Sequence, residues 1–115
     1  MGNKKLITSL TYFYPALTFT CFSLYNLFMY YVYFLQNENN ELYYGSTNNL
    51  KRRLQEHNSG RAYYTKGRYW KLIYYEAYLS EKDARNREKQ LKLHGQAFAQ
   101  TKRRIKNSLS TNLDN

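Results

Sequence analysis

The sequence predicts an α+β domain built on a small three-stranded antiparallel sheet flanked by helices, in the order ββαβαα. Three observations lead there. Two tyrosine-rich, β-prone runs, YYVYFLQ at 30–36 and ELYYGS at 41–46, are separated only by the polar cluster NENN. A third such run, WKLIYYEAY, occupies 70–78, and charged segments with helical patterning follow the second and third runs.

The first two runs form a hairpin, because four Asn and Glu residues are turn material and leave no room for a crossover. Thr47 or Asn48 then caps a helix through NNLKRRLQEHNSG, with Leu50 and Leu54 on its inner stripe and Gly60 at its end. The segment GRAYYTKGRYW has Gly60, Gly67 and three cations without periodicity, and reads as an exposed basic loop. After the third strand, Ser80 and Asp83 make a variant capping box for EKDARNREKQLKLHG. The inner face of that helix runs Ala84, Glu88, Leu91. A carboxylate in the middle of an apolar stripe is out of place for a plain core. A last helix, QAFAQTKRRIKNSL, turns Phe98 and Ile105 inward, and the chain frays after it.

At 115 residues the chain supports one modest core, divided here into a hydrophobic extension (1–28), a functional domain (29–107) and a frayed tail (108–115). Lys and Arg number 18 against 8 Asp and Glu, a formal net charge of +10, which points to a polyanionic partner. Nucleic acid comes first and an anionic membrane surface second. The single cysteine, Cys21, cannot form an internal disulfide, which suits a reducing cytoplasm, and no Cys/His cluster has zinc-site spacing. Residues 6–28 carry no charge and are long enough to span a bilayer. Their Thr, Ser and Asn content and Pro15 argue against an anchor.

YVY at 31–33, YYG at 43–45 followed by STNNLKRRLQEH, and REKQLK at 87–92 together resemble the GIY-YIG nuclease superfamily, in particular its small standalone members. The same module occurs in an excision-repair nuclease and in certain homing endonucleases. The resemblance covers about residues 29–106 and rests on order and spacing more than on any single piece. It implies a metal-dependent endonuclease that hydrolyses DNA phosphodiesters, with a role in DNA repair or processing. The tyrosines of the family's two motifs fall on Tyr33 and Tyr43, the motif glycine on Gly45, the active-site arginine on Arg53 and the His or Tyr one turn later on His57. The metal-binding glutamate falls on Glu88, the carboxylate that periodicity had already singled out. Tyr31 and Val32 replace the first motif's Gly and Ile, Tyr44 replaces the Ile of the second, and Ser46 stands where a Lys is frequent. A late Asn has no clear counterpart, Gln100 being nearest by spacing.

The chemistry implied is coherent. Glu88 would hold one Mg²⁺ or Mn²⁺, a hard cation that keeps several waters and needs few carboxylates. Arg53 would fork onto phosphate oxygens. Tyr43 would be the general base, with Tyr33 positioning it or the attacking water. His57, four residues after Arg53 and on its side of the helix, would bind phosphate or relay a proton. Lys51, Arg52, Arg61, Lys66 and Arg68 would grip the nucleic-acid backbone, and Tyr63 and Tyr64 would stack on bases. The candidate substrates are DNA, with branched and single-stranded forms included, and RNA. Each residue also has a plainer reading: the tyrosines as strand packing, Arg53 as one cation in a solvated run, His57 as a helix-end surface residue, and Glu88 as the partner of Arg85, Arg87 or Lys92. A non-catalytic basic module that binds nucleic acid with the same surface is the alternative function.

Overall fold

A computed structural model of the chain describes residues 29–111, so the expectations for the 1–28 extension and for residues 112–115 lie outside the described residues. The elements are β1 (Tyr30–Asn37), β2 (Leu42–Thr47), α1 (Leu50–Asn58), a single 3₁₀ turn (Tyr63–Thr65), β3 (Trp70–Tyr78), α2 (Glu81–Leu93), α3 (Gly95–Arg104) and α4 (Lys106–Thr111). The sheet is three-stranded and antiparallel, as predicted, and its strand order is β2-β1-β3.

Asn37 builds the hairpin turn. Its Oδ1 accepts from the backbone N–H of Asn39 (3.0 Å) and Glu41 (2.9 Å), and Asn40 takes the left-handed conformation with φ 63°. As the central strand, β1 is buried on both faces, so its side chains read as a nearly continuous apolar run. On one face Val32 and Phe34 pack against Ala84, Leu91 and Ile105, with Tyr44 and Phe98 beside them. On the other, Tyr33, Leu35 and Trp70 pack with Tyr43, Leu50 and Leu54. Alternation along β1 and β2 therefore sends successive side chains to different helices. The edge strand β2 lies between α1 and α2, and both can reach around it.

Four local expectations are corrected. Asn49, rather than Thr47 or Asn48, caps α1, its Oδ1 accepting from Arg52 N–H at 3.0 Å. Ser80 occupies the N-cap of α2 but makes no side-chain capping bond. The segment after Gly60 is not a plain exposed loop: it winds into the 3₁₀ turn and buries Thr65, whose carbonyl accepts from Trp70 Nε1 at 2.8 Å. The last helix is two, giving ββαβααα: α3 ends at Arg104, Ile105 leaves helical geometry (φ −104°, ψ 24°), and α4 resumes. Thr101 Oγ1 bonds back to the Ala97 carbonyl at 2.8 Å within α3, a pattern that bends helices. The fold also runs past residue 107, since α4 continues to Thr111 and Leu109 packs on the main core.

Candidate active site

Gly45 pairs with Tyr33 across the β1–β2 ladder. A Cβ at 45 would lie 3.0 Å from the Tyr33 hydroxyl, so the missing side chain is the space that the phenol occupies. Tyr43 projects to the same face two residues earlier, its ring 6.3 Å from that of Tyr33 and 4.7 Å from that of His57. Helix α1 crosses this face and brings Arg53 and His57, one turn apart, onto a single atom: Tyr33 Oη accepts from Arg53 Nε at 3.2 Å and is 2.9 Å from His57 Nε2. Tyr33, Tyr43, Gly45, Arg53 and His57 therefore converge.

Glu88 reaches the same edge from the other side of the sheet. Ser46, one residue beyond Gly45, points toward α2 and donates to Glu88 Oε2, while Lys92 Nζ donates to Glu88 Oε1 at 2.7 Å. Of the plain partners expected for Glu88, the observed one is Lys92. The Glu88 charge still acts on the Tyr33 hydroxyl. A pocket of about 390 Å³ opens between the start of α1 and the start of α2, lined by Ser46, Asn48, Arg52 and Arg53 on one side and Glu81 and Arg85 on the other. It shares Ser46 and Arg53 with the cluster, whereas Tyr43 and Glu88 do not line it.

The electrostatics assign states. Burial pushes the Tyr33 phenol up to about 12 despite the opposing Arg53 bond, so Tyr33 is neutral at physiological pH. Burial, reinforced by Arg53, lowers His57 to about 4, so its imidazole is neutral as well. Burial would raise the Glu88 carboxyl, but the bonds from Lys92 and Ser46 outweigh it and hold the group below the ordinary carboxylate range. Arg53 is raised chiefly by its bond to Glu56, whose Oε2 lies 2.8 Å from Nη1; the Tyr33 and Tyr43 hydroxyls add to this.

Some expectations change. His57 is fully buried, so it is not a helix-end surface residue, and direct contact with phosphate is closed to it. Its Nδ1 lies 2.6 Å from Thr65 Oγ1. Lys51 and Arg52 are exposed on α1, with Arg52 bonded to Asn48 (2.9 Å) and paired with Glu56 (3.5 Å). Arg61, Lys66 and Arg68 are exposed on the following segment and do not line the pocket. Lys66 lies over the Tyr63 ring at 5.7 Å, and Arg68 is 3.9 Å from Glu41. Two residues of the site went unforeseen, Glu56 and Thr65. Glu56 carried a usable signal, standing three and four residues after Arg53 and Arg52. Thr65 carried only the bracketing Gly60 and Gly67, whose φ of 80° and 84° mark tight chain reversals.

A family model described as the GIY-YIG catalytic domain matches residues 29–104. The chain is 44% identical over 66 residues to the UPF0213 protein CPE1444 of Clostridium perfringens, covering 56% of this chain and 71% of that one. It is 46% identical over 65 residues to a UPF0213 protein of Syntrophus aciditrophicus, covering 54% and 75%. No solved structure matches the chain. With the sheet order, the tyrosine pair on one face and the family match agreeing over the same residues, the chain belongs to the GIY-YIG family, part of a nuclease superfamily.

Proposed function

We propose that this protein is an endonuclease that hydrolyses DNA phosphodiester bonds with one divalent metal ion, in DNA repair or processing. The observation that carries the reading is the meeting of Arg53 Nε with Tyr33 Oη at 3.2 Å beside Tyr43, on the sheet edge that Ser46 links to Glu88. A plain core has no use for a guanidinium bonded to a buried phenol beside a half-buried carboxylate.

Arg53 supplies a permanent charge and a planar fork for the phosphate, once Glu56 yields its place to the substrate. Tyr43 Oη takes the proton of the attacking water. Tyr33, neutral and bonded to Arg53, holds the guanidinium in orientation. The donor chemistry fits Mg²⁺ or Mn²⁺: Glu88 is ionised, the Ser46 hydroxyl adjoins it, and Lys92 is exposed enough to swing aside. Among the described residues no three His, Cys, Asp or Glu form a cluster, so the fit is to one ion on one carboxylate. Bound there, the ion would stabilise charge on the leaving oxygen. Among the described residues no helix is long and apolar enough to cross a membrane.

The full pairing of Glu88 by Ser46 and Lys92 favours a second reading, a basic module that binds nucleic acid without cutting it. One experiment separates the two. The chain is incubated with labelled single-stranded, duplex and branched DNA and with RNA, with and without Mg²⁺ or Mn²⁺, beside Tyr43→Phe and Glu88→Ala. Metal-dependent cleavage lost in both variants, with binding retained, supports the enzyme. Cleavage that survives Tyr43→Phe removes Tyr43 from the base role, and binding with no cleavage in either metal supports the second reading.

A further inference from the structure

We propose that Thr65 is a positioning residue for the candidate site: its side-chain oxygen holds His57 in the tautomer protonated at Nδ1, and that tautomer draws the Tyr33 hydroxyl proton inward. The catalytic consequence rests on the nuclease reading; the direction of the hydrogen bonds does not.

Five groups form a chain. Arg53 Nε is 3.2 Å from Tyr33 Oη, Tyr33 Oη 2.9 Å from His57 Nε2, His57 Nδ1 2.6 Å from Thr65 Oγ1, and Thr65 Oγ1 3.3 Å from the Ala62 carbonyl. The ends are fixed by chemistry, since a guanidinium N–H can only donate and a carbonyl can only accept. When every proton runs from Arg53 toward Ala62, each member between them donates once and accepts once. The opposite tautomer, with Nε2 protonated, aims two donors at Tyr33 Oη. The phenol's own proton, on a residue 2% exposed, would then need a third partner, and the Tyr33 hydroxyl bonds only His57 and Arg53 among the described residues. An imidazolium donating at both nitrogens is not available either, because burial keeps the ring neutral at physiological pH.

Thr65 is held for this task. It is the one buried residue between Gly60 and Trp70, its N–H donates to the Ala62 carbonyl at 3.2 Å, and its own carbonyl accepts from Trp70 Nε1 at 2.8 Å. With the Tyr33 proton directed inward, the phenol offers only lone pairs toward Arg53, and the guanidinium is locked by its Nε. Turned outward, that proton would meet the Arg53 N–H donor to donor and push the guanidinium off the phosphate position.

The test uses the ¹⁵N-labelled full chain and the variants Thr65→Val, which keeps the shape and loses the hydroxyl, and Thr65→Ser, which keeps the hydroxyl. Long-range ¹H–¹⁵N spectra, with His57→Asn to assign the ring, report the tautomer. In the wild type and in Thr65→Ser the His57 Nδ1 is expected to be the protonated nitrogen, and in Thr65→Val the proton moves to Nε2. On a DNA substrate cleaved by the wild type, Thr65→Val lowers kcat roughly ten- to a hundredfold. KM changes by less than about threefold, and Thr65→Ser restores kcat. A His57 that stays protonated at Nδ1 in Thr65→Val, a wild type protonated at Nε2, or a Thr65→Ser as impaired as Thr65→Val overturns the proposal. A wild type that cleaves nothing defeats the nuclease reading instead, and the spectra still decide the direction of the bonds.

Discussion

Gly45 is where two phenols and a guanidinium can meet because it has no side chain. Its backbone is not among the positive-φ positions, so the constraint is space. A methyl there would stand 3.0 Å from Tyr33 Oη, 3.3 Å from its Cζ and 3.5 Å from Tyr43 Cε1. Gly45→Ala is therefore expected to cost about 1–3 kcal/mol in urea unfolding through overpacking and to reduce cleavage of a DNA substrate further than that loss explains. Wild-type rate and midpoint together would show that the tyrosines have room to spare. His57 sets a second test at this scale. Its folded pKa is lowered to about 4 by burial, while the unfolded imidazole titrates at its ordinary value, so below about 6.5 the unfolded chain binds a proton that the fold refuses. Stability is unaffected by this group above that value and falls as pH drops from about 6.5 toward 4, by up to roughly 3 kcal/mol. His57→Asn should be less stable at neutral pH but lack that slope, which paired denaturation curves at pH 7 and pH 4.5 would reveal.

At the scale of elements, α2 must sit correctly on the sheet for Glu88 to reach Ser46, and the residue next to Glu88 secures it. Arg87 grips Glu76 of β3 through Nε (3.0 Å) and Nη2 (3.1 Å), while Tyr74 and Tyr78 donate to the same carboxylate at 2.7 and 2.6 Å. Arg87 Nη2 also donates to Thr101 Oγ1 at 2.9 Å, tying in α3. The pair is only 20% and 16% exposed, so removing one member leaves a largely buried charge. Arg87→Met is expected to lose about 2–3 kcal/mol by urea denaturation, and adding Glu76→Gln to recover part of it. No loss would make the network ornamental. The strands and helices that this network joins were legible in the sequence because period and turn residues are local, and Ala84, Glu88 and Leu91 fall on one face of α2 as their spacing required. The helix starts were less so: Thr47, Asn48 and Asn49 are all competent caps, and the choice of Asn49 depends on where β2 lets the chain go. Thr65 was illegible for a deeper reason. Its partner His57 lies in another element, and nothing in YYT distinguishes an inward hydroxyl from its exposed neighbours.

For the molecule as a whole, a net charge of +10 makes affinity for nucleic acid largely a matter of counterion release, so binding should weaken steeply with salt. A nucleic acid crossing the pocket between α1 and α2 would meet Arg52 and Arg53 on one wall and Arg85 on the other. All three are engaged by carboxylates in the free protein, Arg52 and Arg53 by Glu56 and Arg85 by Glu81 at 2.8 Å. A phosphate entering the pocket must displace those carboxylates, which makes Glu56 a brake on binding. Glu56→Gln is therefore expected to tighten DNA binding by up to about fivefold at low salt, the scale of a part-exposed ion pair, with the gain fading as salt rises. Arg52→Ala should do the reverse and lower the slope of log K against log salt by roughly 0.7–0.9, one phosphate contact. Fluorescence anisotropy across a salt series measures both. If Glu56→Gln leaves affinity unchanged while Arg61→Ala or Lys66→Ala lowers the slope, the nucleic acid runs over the segment after α1 and not across the pocket.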